Sequence, residues 1–169
     1  MAAYATNQNA MIFWSASEIM KPRFFLPLIL LVAVCRQSFS QELDKEIDSL
    51  KNVLRTAVED TNYVNALNAL SGRLWSISRD SISRSYASKA LLLAEKLNYR
   101  KGMAAAYINI GLSYDIGGDY PQALKNFMAA RKISEDAGDK SALAYSYMSI
   151  GSICWHQGNY SEAVQNHRA

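Results

Sequence analysis

"IGGDYPQALKNF", residues 116–127, returns as "HQGNYSEAVQNH", residues 156–167, displaced by 40 positions. The correspondence runs to the last residue. Laying 102–129 over 142–169 without a gap gives nine identities in 28 positions, among them Tyr107/Tyr147, Ile110/Ile150, Gly111/Gly151, Gly118/Gly158, Tyr120/Tyr160 and Ala123/Ala163. Unrelated segments of average composition would share roughly two. Self-similarity at this period predicts stacked copies of one supersecondary element.

Each copy reads as a helical hairpin. Met103, Tyr107, Ile110 and Tyr114 fall at helical spacing, as do Leu143, Tyr147, Ile150 and Cys154, which gives each first helix one buried stripe. Gly118 and Gly158 then stand where a helix closes with a left-handed residue. Asp119 and Asn159 follow as N-caps, with Gln122 and Glu162 three residues on, so two capping boxes are expected. Pro121 suits the first turn of a second helix, where its missing N–H has no acceptor to lose. Ala123, Phe127, Ala130 and Ile133 supply that helix's inner stripe, which runs to about Asp136 before "AGDK" turns the chain. Gly111 and Ala123 leave bare surface where the two helices can approach.

The set Tyr107, Ile110-Gly111, Tyr114, Ala123, Phe127 and Ala130 resembles the tetratricopeptide repeat, whose motif places W, L-G, Y, A, F and A in those slots. The resemblance implies an all-α fold, a right-handed α-solenoid of antiparallel helix hairpins with about three repeats. The unit is longer than the usual 34 residues, and Glu135 stands near the slot of the motif's proline. A divergent first repeat is expected over 61–101, with Leu67, Leu70, Ser71, Leu74, Ala87 and Ala90 in the corresponding slots and Ser83 in place of the small alanine. The second repeat covers 102–140. The third, 141–169, stops in its second helix, so a longer protein is expected.

Ahead of the repeats, Leu43, Ile47, Leu50, Leu54 and Ala57 step by four and three, which predicts an N-terminal capping helix over 41–60. A homodimer contact through the same narrow seam is the other reading of that pattern. Residues 20–40, "MKPRFFLPLILLVAVCRQSFS", place Lys21 and Arg23 before an apolar run from Phe24 to Cys35 and end in small residues. This is the pattern of a signal peptide, and its run of about 12 residues falls short of the roughly 20 that span a bilayer. Residues 1–19 fit no part of a signal and read as a misassigned upstream extension before Met20. An exported, periplasmic or extracytoplasmic location follows, with membrane attachment only through an uncleaved signal or a C-terminal span beyond residue 169.

Removing residues 1–40 takes out Lys21, Arg23 and Arg36 against Glu18, so the formal charge falls from +3 to +1. Nucleic-acid binding depends on clustered Lys and Arg, and no nucleic-acid partner is expected here. Cys154 is then the sole cysteine, on a buried stripe, with no internal disulfide to form. Cys154 and His156 point about 200° apart on one helix, and His167 takes a core slot, so no metal site is expected. The chain shows no phosphate loop, nucleophile elbow or HExxH sequence, and neither an active site nor a cofactor is anticipated.

What remains is a surface. In the tetratricopeptide family the concave face of the array, lined by first helices, takes peptides or partner helices. Carried over slot by slot, its residues are Asn65, Asn68, Gly72 and Trp75 in the first copy, then Ala105, Ile108, Leu112 and Asp115 in the second. The third copy adds Tyr145, Met148, Ser152 and Trp155. These slots hold no Lys or Arg, unlike the family's clamp for terminal carboxylates. A signal peptide ahead of such repeats resembles the extracytoplasmic sensory halves of bacterial histidine kinases and related membrane regulators. A sensing module with a protein or peptide ligand is the first functional expectation, and a free periplasmic scaffold for an envelope complex is the alternative.

Overall fold

The computed structural model describes the backbone over residues 22–75 and 80–168, and side chains at 30–31, 41–75, 81–166 and 168. The expected upstream extension, 1–19, lies outside these residues, as do Met20, Lys21 and the side chains of Arg23, Cys35 and His167. Seven helices follow one another among the described residues: α1 Pro22–Thr56, α2 Thr61–Trp75, α3 Asp80–Lys96, α4 Arg100–Ile116, α5 Tyr120–Ala137, α6 Lys140–His156 and α7 Tyr160–Arg168. The expected all-α solenoid of helix hairpins is what the chain forms.

Residues up to Glu42 and residues from Leu43 onward are two separate compact units. In the first, α1 runs through the apolar stretch expected as a signal peptide, with Leu30 and Leu31 exposed. Among the described residues no helix is long and apolar enough to cross a membrane.

The second unit opens with the rest of α1. Its residues Leu43, Ile47, Leu50 and Leu54 pack on Leu70 and Leu74 of α2 and Tyr86 of α3, and Glu46 pairs with Arg73 at 2.7 Å. The seam read from the sequence is therefore occupied within the chain. The helix ends sooner than 41–60 implied: Ala57 falls beyond Thr56 and is exposed. Asp60 accounts for the break. Its carboxylate accepts the N–H groups of Tyr63 and Asn62 at 2.9 and 2.8 Å, opening α2, and those bonds hold its pKa below the ordinary value.

Four turns inside the repeats close in one way. Asn98, Gly118, Gly138 and Gly158 all have positive φ, and they stand 20 residues apart. At each, the left-handed residue donates its N–H to the carbonyl three residues back, as Gly118 does to Asp115. The next residue donates to the carbonyl five back: Tyr99 to Ala94, Asp119 to Tyr114, Asp139 to Ser134 and Asn159 to Cys154, at 2.8–2.9 Å. This is the paired closure that satisfies the last orphan carbonyls of a helix. It also corrects the capping-box expectation. Asp119 does accept the Gln122 N–H at 3.2 Å, but its own N–H already serves Tyr114, so the Gln122 side chain has no donor to reach back to. The Asn159 N–H is committed to Cys154 in the same manner.

Within a hairpin the two helices meet through small residues. A Cβ on Gly111 would lie 2.7 Å from the ring of Phe127, which is fully buried. In the first hairpin Ser71 and Ser83 hold the slots of Gly111 and Ala123, and each hydroxyl donates to the other's carbonyl at 2.8 Å. The departure from the motif is thus satisfied, because a buried hydroxyl that finds a partner costs little. Between hairpins, Gly102 lets α4 press on Tyr99 and Val64, while Arg84 lies over Tyr114 and Arg131 over Tyr147. The first helices α2, α4 and α6 touch in succession, whereas α3 and α5 have no comparable contact. The repeats therefore curve with first helices inside.

Gly138 isolates the value of the closure, since nothing lies within 4 Å of a Cβ there and only the backbone conformation resists substitution. Gly138→Ala should lower stability by about 1–2 kcal/mol, read as a shift of the urea midpoint. Gly138→Asn should cost clearly less, because asparagine already holds this conformation at position 98.

Candidate functional site

The inner face gathers side chains from three helices. Ala69, Gly72, Arg73 and Trp75 of α2, Ile108, Asn109 and Leu112 of α4, and Tyr145 of α6 line one open groove of about 360 Å³. Five of these, Gly72, Trp75, Ile108, Leu112 and Tyr145, were read from the sequence as groove positions. They converge because residues three and four apart share a helix face, and neighbouring first helices set those faces side by side. The absence of a side chain at Gly72 keeps the floor open: the nearest group to a Cβ there is Asn109 Oδ1 at 3.8 Å.

The other expected positions fall elsewhere. Asn68 is only 7% exposed, and its amide is spent inside the array. It donates to the Gly102 carbonyl at 3.0 Å, while Asn109 donates to the Asn68 carbonyl at 3.0 Å, so the two amides tie α2 to α4. Asn68 is a strut between repeats and not a groove residue. Asn65 accepts from the Tyr99 hydroxyl at 3.1 Å. Ala105 and Ser152 are half-buried. Met148 and Trp155 are 51% and 58% exposed, and the Trp155 ring meets Tyr160 edge-on at 4.9 Å.

Sequence reasoning missed Arg73 and Asn109. Asn109 had a visible signal, a polar residue directly before the Ile110-Gly111 pair of the stripe. Arg73 had none, because it reaches the groove from beside its pairing with Glu46.

Two polar features give the face its chemistry. The Trp75 indole N–H is buried and meets no acceptor among the described residues. Asp115 follows Leu112 by one turn on α4, and burial pushes its carboxyl above the ordinary value, with His156 acting in the opposite sense. Tyr145 is raised too, by burial and then by the Asp115 charge, which places the phenol and the carboxylate within each other's field. Cys154 is buried, and its thiol is pushed up by that burial and by the Glu162 carboxylate. No three His, Cys, Asp or Glu side chains are grouped to hold a metal ion among the described residues.

Asp115 makes a pH-dependent contribution of known sign. Its folded-state pKa lies above the unfolded 3.8, so folding disfavours the charged form and the penalty appears as pH rises through the folded value. Asp115→Asn should therefore melt at a higher temperature than the parent at neutral pH, with the gap closing by about pH 3. Thermal melts of both proteins across that range check it, and a gap that persists in acid would assign the effect to something other than the charge.

Residues 102–169 match the family described as Tetratricopeptide repeat. Among solved structures the chain is similar to a Rap protein complexed with Competence and Sporulation Factor, at 22% identity and a TM-score of 0.64, covering 73% of this chain and 34% of that one. It also aligns with MamA at 20% identity and a TM-score of 0.33, covering 79% of this chain and 89% of that one. The chain spans about a third of the Rap chain, and likeness at this identity concerns the fold alone. No curated protein matches the sequence.

Proposed function

We propose, from the match of residues 102–169 to the tetratricopeptide repeat family, that the chain works by holding a protein or peptide segment along the inner face of its first helices. A repeat array of this kind is a protein-interaction module. The observation that carries the finer reading is the convergence of Trp75, Ile108, Leu112 and Tyr145 on one open groove. Aromatic side chains of this sort offer large contact area at small entropic cost and are enriched where binding energy concentrates. The Rap protein that shares the fold was solved with Competence and Sporulation Factor, which supports ligand capture by such an array.

The reading extends to an extracytoplasmic sensory role. Its support is the signal-like stretch at 20–40 ahead of the repeats, and the role requires export. Mass spectrometry of chain recovered from the cell envelope should then find a mature N-terminus at Gln41. An intact N-terminal segment in the cytoplasmic fraction would refute export and leave an interaction module inside the cell.

The groove is tested separately by panning a random-peptide display library on the whole chain. Enriched peptides should bind the parent saturably and lose about tenfold or more in affinity when Trp75→Ala and Tyr145→Ala are combined. Peptides that bind the double variant as well as the parent would show that the groove is not the binding face.

A further inference from the structure

Two charged residues in unlike states stand on this face: Arg73 lines the groove, and Asp115 lies one turn beyond Leu112 on the same face of α4. Arg73, on the α2 side, is engaged by Glu46 at 2.7 Å. The Asp115 carboxylate forms no hydrogen bond and no salt bridge among the described residues; it is half-buried, it acts electrostatically on Tyr145, and His156 acts electrostatically on it. A carboxylate partly withdrawn from water and held in no salt bridge, with only the titratable His156 imidazole acting on it in the opposite sense, is a source of negative potential whose attraction for a permanent cation exceeds that of a fully solvated acid. The ring of Tyr145 beside it adds a second feature that favours positive charge. Meanwhile Ile108 and Leu112 present apolar surface one and two turns earlier on the same helix face.

We propose that the groove selects a basic ligand, an extended peptide segment that lays an apolar side chain over Ile108 and Leu112 and delivers a lysine or arginine to Asp115 beside Tyr145. The proposal rests on the groove reading above. The spacing follows from the helix and the ligand together. Asp115 lies about 5 Å along the axis from Leu112 at 1.5 Å per residue. In an extended segment, side chains two positions apart share a side and stand about 6.6 Å from each other. The ligand pattern is therefore an apolar residue, any residue, then Lys or Arg. Charge also separates the candidates, since Arg73 is paired with Glu46 while the Asp115 carboxylate is in no salt bridge, and an acidic segment would meet repulsion there.

The test uses the whole chain and the peptides enriched by panning. Those that need Trp75 and Tyr145 should carry the apolar–any–basic pattern. In synthetic versions, changing the Lys or Arg to Gln should weaken binding to the parent about tenfold, the worth of a charge-assisted contact, and should cost nothing further in Asp115→Asn. Asp115→Lys should reverse the preference, taking the Glu version of the peptide over the Lys version. Circular dichroism confirms that both variants are folded. Groove-dependent peptides with no basic bias, acidic peptides preferred by the parent, or a Gln penalty unchanged in Asp115→Asn would each overturn the proposal while leaving the groove reading intact. Peptides indifferent to Trp75 and Tyr145 would overturn both.

Discussion

The left-handed helix closure is the constraint on which the rest of the repeat array depends. At Asn98, Gly118, Gly138 and Gly158 two backbone bonds seal the preceding helix and hand the chain to the next one within a few residues. Because these closures recur every 20 residues, α4, α5 and α6 come out at 17, 18 and 17 residues, and each turns back along its neighbour. Helices of nearly equal length can pack side by side over their full extent, so the apolar stripes meet in register. A helix that overran its closure would carry its stripe around to the solvent side, since the helical repeat is 3.6 residues.

Equal lengths permit packing, and small residues bring it close. Gly111 admits the Phe127 ring at a distance that no Cβ would allow, and Gly102 does the same for Tyr99 and Val64. The first hairpin solves the problem with chemistry instead of absence. Ser71 and Ser83 are both fully buried, and each satisfies the other's backbone, so the contact carries hydrogen bonds where the later repeat has bare surface. The Gly111 and serine contacts lie within hairpins, and the Gly102 contact lies between them. Between hairpins each second helix packs on the next first helix, and successive first helices also touch, reinforced by the Asn68 and Asn109 amides, where successive second helices do not; this difference gives the array an inner face.

That inner face is where structure becomes function. Packing consumes one stripe of each first helix, and Ile108 and Leu112 on the adjacent stripe of α4 are left open beside Trp75 and Tyr145, with the half-buried Asp115 one turn further on. A family architecture determines that such a face exists, but the groups upon it determine what it holds. Here the groups are aromatic and apolar with a carboxylate outside any salt bridge, and on the proposed reading they would distinguish ligands by charge as well as by shape.

The sequence by itself determined the repeat, its 40-residue period and the hairpin unit, because each is a local consequence of helical spacing and turn chemistry; of the expected stripe on α4, Ile110 is buried while Met103, Tyr107 and Tyr114 are half-buried. Five residues that it set on the inner face also line the open groove, since a slot on a helix face is fixed by counting along one helix. Only the tertiary structure decided that Asn68 is a strut, that Arg73 and Asn109 line the groove, and that α1 stops at Thr56 in front of the Asp60 cap. The half-formed capping box belongs with these, because a donor's availability depends on whether the previous helix has already claimed it. Counting along one helix cannot say which neighbour a polar side chain meets. That choice is made by atoms from distant parts of the chain, which become neighbours only after the helices have packed.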